Sequence, residues 1–407
     1  MQNITKPTLF GYGLTTKAIA SSLGGGCTFF DDMVDESYFD KDENHILPSN
    51  LFDPHSSQLE VTTPSLKPSN PLIKSADNLL SEYDYIIPQT KATTVWISGT
   101  NGKTTTTQMI THLLKNRGAI SGGNIGTPLA KLDKNAPIWI LETSSYTLHH
   151  TKIASPNIYL LLPITPDHLD WHGDKESYIE AKLKPLKTMK EGELALIPKG
   201  LNLPKSNAFV VEYDSVEFLA NYFNIDIKKV NFKSAFLEDA LIALAVSRVL
   251  FDEVDYSLIN NFKVDAHRQE EQFDLSNRLW VNDSKATNVD ASIQAIRAYS
   301  DRYIHLIIGG DDKGVDLNPL FKELKNYNLS IYTIGANNQK LLNLAKEYNI
   351  NAIESKTIDV AIRNIDKKLS IDEVALLSPA SASFDQFKSY RERGEIFLTL
   401  SSNLSID

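Results

Sequence analysis

The chain has 407 residues, more than one ordinary hydrophobic core accommodates, so two or three domains are expected. At 42% hydrophobic and 23% charged residues it can build true cores, and a net charge of −10 with no basic block argues against nucleic acid as the main partner. A single cysteine, Cys27, rules out an intrachain disulfide framework and fits a reducing compartment. No basic region followed by an apolar run of leader length opens the chain, and apolar runs such as residues 158–162 have strand length, so neither a signal peptide nor a membrane span is expected.

Residues 7–32 read as strand, glycine turn, helix, strand. Residues 7–10 lead into Gly11-Tyr12-Gly13-Leu14-Thr15-Thr16, Gly24-Gly25-Gly26 breaks the helix, and the strand 27–30 ends in Asp31 and Asp32. A βαβ unit with an acid at the tip of its second strand resembles a nucleotide-binding half-fold, although Thr16 stands where the fingerprint has its third glycine. Taken alone, the motif is weak, and a tight turn with no ligand is the lesser alternative. Residues 56–90 alternate short strands and helices, with Thr63 at a strand end, and a domain boundary is expected near residue 90.

The strongest signal follows at residues 95–108. A β-rich run enters Gly99-Thr100-Asn101-Gly102-Lys103-Thr104-Thr105, and a Thr-rich helix leaves it. Glycines let successive N–H groups turn inward on an anion, and the helix adds its positive end. In such a loop the lysine reaches the outer phosphates and the hydroxyl of the next residue holds Mg²⁺, which here designates Lys103 and Thr104. Residues 121–128 form a second glycine-dense segment around Asn124, expected to be a loop. The strand 137–141 ends in Glu142-Thr143-Ser144, where a carboxylate beside a phosphate loop is a common Mg²⁺ holder. The strand 157–162 ends near Asp167-His168 and His172, whose spacing matches none of the usual zinc patterns. Lys182 lies in a helical pattern and reads, by pattern alone, as a solvated lysine; residues 236–251 read as a buried apolar helix.

From residue 265 the texture changes. Apolar strands at 279–282, 303–308, 331–335 and 374–377 alternate with helices, which predicts a parallel, doubly wound domain. The polar clusters Asp283–Asn288, Gly309–Gly314 and 378–385 follow strand carboxyl ends, where such folds bind ligands. Singly, each is equally a solvated turn or helix cap; three on one rim favour a site.

In family order, the runs Gly99–Thr106, Gly122-Gly-Asn-Ile-Gly126, Leu141-Glu-Thr-Ser-Ser145, Asp167-His168, Ala181-Lys182-Leu183, His267-Arg268, Asn282-Asp-Ser-Lys-Ala-Thr-Asn288, Gly309-Gly-Asp-Asp-Lys313 and residues 377–387 resemble the Mur ligase family. Within that family the resemblance is closest to the D-glutamate-adding branch, the 282–288 and 377–387 runs being the most specific; the Asp-Asn-Pro-Arg and Tyr-Ala-His-His runs of the diaminopimelate/lysine-adding and alanine-adding branches are absent. It implies three α/β domains: a Rossmann-like UDP-substrate domain (1–90), a central P-loop ATPase with a parallel sheet (91–264) and a C-terminal doubly wound, Rossmann-like domain (265–407). It implies ATP-dependent joining of D-glutamate to UDP-N-acetylmuramoyl-L-alanine, for peptidoglycan synthesis, by a cytoplasmic monomer. The alternatives are another Mur-type or folylpolyglutamate-type ligase, or a nucleotide-binding regulator without ligase chemistry.

Residue by residue, the resemblance implies catalytic roles for Lys103, Glu142, His168 and a carbamylated Lys182, with Thr104, Glu142, His168 and Lys182 organising two Mg²⁺ sites. Nucleotide would meet residues 99–105 and Arg268, Asp283 and Lys285. Gly13, Leu14, Thr15, Asp31 and Thr63 would shape the UDP site, and Asn124 and Ser144 would meet the muramoyl-alanine end. Thr287, Lys313, Ser383, Phe384 and Tyr390 would form the D-glutamate pocket. The chain departs from the family in four places. The adenine-contacting asparagine run reads Ala235-Phe-Leu-Glu-Asp239, with Asp239 as its only substitute; Thr147 replaces a glutamine; and Phe384 and Tyr390 replace leucine and phenylalanine.

Overall fold

A computed structural model describes residues 6–405. They build three six-stranded sheets. The first contains β1 (Thr8–Phe10), β2 (Thr28–Asp31), β3 (Tyr38–Phe39), β4 (His45–Pro48), β5 (Glu60–Thr62) and β6 (Leu79–Ser81), in the order β3-β4-β2-β1-β5-β6. The second contains β7 (Thr93–Ser98), β8 (Ala119–Gly123), β9 (Ile138–Glu142), β10 (Ile158–Leu161), β11 (Leu194–Pro198) and β12 (Phe209–Tyr213), in the order β12-β11-β10-β7-β9-β8. The third contains β13 (Glu270–Phe273), β14 (Leu279–Asn282), β15 (Ile304–Gly309), β16 (Leu329–Ile334), β17 (Asn351–Lys356) and β18 (Val374–Leu377), in the order β13-β14-β18-β15-β16-β17.

Every pairing is parallel except β3 with β4 and β13 with β14, which are antiparallel edges. The third sheet is thus not wholly parallel as its alternation of strands and helices predicts. A second difference concerns residues 121–123, expected in a loop: they form the end of β8 and pair with β9. Gly122 is there because of space, since a Cβ on it would come within 2.8 Å of the Thr127 carbonyl.

Parallel strands covered on both faces are buried throughout, as β9, β15 and β16 are. Alternate residues of β7 serve opposite cores. Val95 and Ile97 pack with the helix Ser234–Phe251, whose residues 239–247 are all buried. Trp96 packs on the other face with Leu9, Phe29 and Tyr83 of the first sheet's layer. This shared core makes the first two sheets one compact unit, residues 1–232 with 236–262; the third sheet belongs to a second unit, 233–235 with 263–407. Among the described residues no helix is long and apolar enough to cross a membrane.

Candidate active site

In the second sheet the chain runs from β7 toward β8 and β9 on one side and returns to β10 on the other, so β7 marks a topological switch point. Beyond its tip lies the glycine loop 99–102 that the sequence singles out. Gly99 has φ +145°, and a Cβ there would meet Leu162 Cβ at 2.5 Å. Gly102 takes φ +81° at the start of the helix Lys103–Leu114. Both positions need glycine, and the turn they allow aims the helix N-terminus at the loop's interior. Lys103 Nζ donates to the carbonyls of Gly99 (2.9 Å) and Thr100 (2.7 Å), so the ammonium lies folded inside its own loop. Thr100 Oγ1 donates to the Thr165 carbonyl at 2.9 Å, tying the loop to the segment after β10. Thr105 is buried in the first turn. Asp239, weighed above as the adenine substitute, accepts from Thr106 Oγ1 at 2.7 Å and stands where a Cβ on Gly102 would meet its Oδ1 at 2.8 Å. It braces the loop.

Glu142 closes one side. It is buried at the tip of β9; Thr104 Oγ1 donates to its Oε2 at 2.7 Å and Asn124 Nδ2 to its Oε1 at 2.6 Å. Two donors, from the segments beyond β7 and β8, thus meet on the carboxylate at the tip of β9. Carboxylate and hydroxyl oxygens are the hard donors that Mg²⁺ prefers. Among the described residues no three His, Cys, Asp or Glu side chains gather as a metal site. Ser144 N-caps the helix Ser145–His150 by accepting from Thr147 N at 3.1 Å, and the Thr147 hydroxyl lies 3.0 Å from its Oγ. Thr147, one of the departures, therefore completes this cap. His168 takes φ +54°, its backbone N–H bonds Asp167, and burial holds its imidazole below the ordinary value against the pull of Asp167.

Lys182 overturns its pattern reading. On the helix Lys175–Thr188 it is only 1% exposed. Its Nζ donates to the Gly99 carbonyl at 2.8 Å and Ser98 Oγ at 3.3 Å. Burial, helped by the Lys103 charge and opposed by Asp167, holds the amine well below the usual lysine range. One turn earlier, Tyr178 places its ring 4.7 Å from the Lys182 nitrogen and its hydroxyl 3.0 Å from Thr100 Oγ1. The sequence reading missed Tyr178, although an i, i+4 partner of Lys182 on one helix face was visible.

The first sheet offers a separate rim. Gly13, Leu14 and Thr15 follow β1, Asp31 ends β2, and Thr63 follows β5, three neighbouring strands. A Cβ on Gly11 would strike Thr63 Cγ2 at 2.6 Å. The Thr16 hydroxyl lies 3.2 Å from Gly13 N and donates to the Gly11 carbonyl, so it ties the turn together where the fingerprint has glycine. Asp31 accepts from the backbone N–H of Tyr12 and of Met33 (2.8 Å), while Leu14 is 80% exposed at the rim.

In the second unit, the segments beyond β14, β15 and β18 carry most of the remaining residues, with Arg268 just before β13 and Tyr390 at the start of the helix Tyr390–Ser401. Asp283 is buried: Ser378 Oγ donates to it at 2.8 Å and Gln269 N at 3.2 Å, and burial pushes its carboxyl up to about 7. Arg268 adds a favourable charge to it. Lys285 Nζ stands 4.3 Å from the centre of the Tyr390 ring. Thr287 and Lys313 are exposed, Lys313 at φ +49°; Ser383 is buried and Phe384 is 68% exposed. Arg393, which the sequence did not single out, is fully buried and donates to Ser284 Oγ (3.0 Å) and the carbonyls of Ser284 (2.9 Å) and Ser381 (3.2 Å). It joins the loop after β14 to the loop after β18.

These arrangements have close relatives. The profile of the Mur ligase middle domain matches residues 97–236, the span that carries Lys103, Glu142, His168 and Lys182. The UDP-N-acetylmuramoylalanine–D-glutamate ligase of Campylobacter jejuni subsp. jejuni serotype O:23/36 (strain 81-176) is 50% identical over 398 residues, covering 96% of this chain and 98% of that protein. The chain belongs to the Mur ligase family. A second member with the same name, from Helicobacter pylori (strain ATCC 700392 / 26695), is 43% identical over 414 residues, again covering 96% and 98%. The family fold is matched by solved structures at low identity. MurF from Acinetobacter baumannii gives a TM-score of 0.60 at 13% identity, covering 97% of this chain and 90% of that one. MurF from Thermotoga maritima in complex with ADP gives 0.57 at 16%, covering 92% and 94%.

Proposed function

We propose that this chain joins D-glutamate to UDP-N-acetylmuramoyl-L-alanine at the expense of ATP, as the printed name of its full-length relatives describes for them. The observation that carries the reading is the buried amine of Lys182 held 2.8 Å from the phosphate loop's Gly99 carbonyl. A nucleotide cradle with a neutral lysine against its wall suits a ligase that must crowd anions together.

A carboxylate is a poor acyl donor. Transfer of the γ-phosphoryl group onto the muramoyl-alanine carboxylate gives an acyl phosphate and ADP; the unprotonated D-glutamate amine then attacks the acyl carbon, the acyl C–O bond breaks, phosphate leaves with the bonding pair and the nitrogen gives up a proton. Catalysis is positioning and charge neutralisation. Lys103 exchanges its loop carbonyls for phosphate oxygens, and residues 99–105 cradle the triphosphate. Thr104, Glu142, His168 and carbamylated Lys182 would hold Mg²⁺ at two sites, where the metal supplies neutralisation of phosphate charge. Carbamylation needs an unprotonated amine, which burial supplies at Lys182. Asn124 fixes Glu142, and Ser144 and Asn124 face the muramoyl-alanine end. Gly13, Leu14, Thr15, Asp31 and Thr63 take the UDP end.

In the second unit Arg268, Asp283 and Lys285 serve the nucleotide, and Thr287, Lys313, Ser383, Phe384 and Tyr390 the amino acid. Lys313 suits the D-glutamate side-chain carboxylate. Domains of 1–90, 91–264 and 265–407, a monomeric state and a cytoplasmic role in peptidoglycan precursor synthesis complete the proposal.

The test is phosphate release with UDP-N-acetylmuramoyl-L-alanine, ATP and Mg²⁺. Release is expected to require D-glutamate; equal release with L-lysine or L-alanine overturns the assignment.

A further inference from the structure

The loop after β15 carries Lys313 at its crest, and its root is pressed against neighbouring backbone. A Cβ on Gly309 would meet the Ile334 carbonyl at 2.0 Å, and one on Gly310 the Ala382 carbonyl at 2.2 Å. Asp311 and Ala382 exchange backbone hydrogen bonds of 3.0 and 2.9 Å. Beyond this root the chain leaves the sheet, and Lys313 adopts φ +49°, a conformation unfavourable for a side chain with a Cβ. Something beyond the root must fix it.

The fixing group comes from the turn and helix after β16. Lys340 Nζ donates to Asp312 Oδ2 at 2.9 Å and to the Val315 carbonyl at 2.8 Å, gripping the loop on both sides of Lys313. Asn337 Nδ2 reaches Asp312 Oδ2 at 3.3 Å and Ser381 Oγ at 3.2 Å, while its Oδ1 accepts from Gly310 N at 3.0 Å. Asp312 Oδ1 accepts from Gly314 N at 2.9 Å, closing the turn around Lys313. The Asp312 side chain is only 12% exposed and that of Lys340 42%, so the pair is shielded on its carboxylate side.

We propose that Lys340, acting through Asp312 with Asn337, is a positioning residue that sets the reach of the Lys313 ammonium toward the carboxylate of the amino-acid substrate. This rests on the assignment of Lys313 to the amino-acid pocket. The Lys340 ammonium is committed to Asp312 and the Val315 carbonyl.

The test is steady-state kinetics on the full chain with D-glutamate varied, then ATP varied. Lys340→Met is expected to raise the D-glutamate KM about tenfold, with kcat at saturating D-glutamate and the ATP KM unchanged. Lys340→Arg restores the wild-type KM, and Lys340→Met/Asp312→Asn raises it by less than the product of the two single changes, because the two residues share one ion pair. A merely structural role would lower kcat and both KM-normalised rates together. Lys313→Ala runs in parallel. If it raises the D-glutamate KM while Lys340→Met does not, the positioning role is overturned alone; if it leaves that KM unchanged, the pocket assignment falls and the role falls with it.

Discussion

Lys182 Nζ and the Gly99 carbonyl, on different elements of one unit, stand 2.8 Å apart with the lysine nitrogen sealed from solvent. A charged ammonium there would have few partners, and burial together with Lys103 favours the neutral amine. A neutral amine is a nucleophile toward CO₂; an ammonium is not. Lys182→Ala should therefore lower kcat by about 10²–10³, the scale of removing one preorganised charge-stabilising group. Short carboxylic acids in solution should restore part of it. Full activity in the variant, or no response to any such acid, contradicts the carbamate role.

Glu142 is held from two sides, by Thr104 at 2.7 Å and Asn124 at 2.6 Å. Asn124→Ala leaves the carboxylate in place but frees one oxygen. A hydrogen bond to a charged group is worth about 1.5–3 kcal/mol, so kcat/KM for ATP should fall about ten- to a hundredfold. The half-saturating Mg²⁺ concentration should rise with it, measured as initial rate against Mg²⁺ at fixed ATP. An unchanged Mg²⁺ profile removes Asn124 from the support of this carboxylate.

Legibility followed the range of each interaction. The strand–glycine turn–helix at 93–114 could be read because its glycines, lysine and threonines act within a few residues of one another; the structure places that turn at the tip of β7. The buried strands were visible as apolar runs. Residues 121–123 were misread because their glycines serve a close contact with the Thr127 carbonyl inside a strand pairing, and spacing alone does not separate that from a loop. The antiparallel β13 escaped because Glu270–Phe273 is half exposed and polar, with no apolar run to mark it. Lys182 showed no local sign of its burial, which is imposed by Ser98 and Gly99 more than eighty positions away. Arg393 was invisible for the same reason: its partners Ser284 and Ser381 lie on other strand tips.

Asp283 makes a pH prediction. Its folded carboxyl sits at about 7, above the ordinary value of 3.8, because it is buried. The folded state therefore binds the proton more tightly than the unfolded chain does. The stabilisation is complete below the unfolded value and is lost as pH rises toward about 7, at no more than about 1.4 kcal/mol per pH unit. Asp283→Asn abolishes this titration while keeping the shape. Its melting temperature relative to wild type should rise steadily between pH 4 and 7 and then level. Parallel pH profiles for the two proteins would show that Asp283 titrates normally.

Arg393 supplies the last prediction. It is 0% exposed and bonds only neutral groups: the Ser284 hydroxyl and two carbonyls. Its Nη1 has no partner among the described residues, and burial lowers the guanidinium to about 10, still protonated near neutrality. Arg393→Ala strands two buried carbonyls, takes one of the Ser284 hydroxyl's two bonds and opens a cavity, which should cost about 2–4 kcal/mol. Arg393→Lys keeps the charge but loses the planar fork that spans Ser284 and Ser381, so it should recover only part of the loss. Thermal unfolding of the full chain measures both. Since Ser284 lies between Asp283 and Lys285, the same variants should raise the ATP KM when assayed below their melting range. A Lys variant as stable as wild type would mean that charge alone, and not the bridge between the two loops, keeps an arginine in this core.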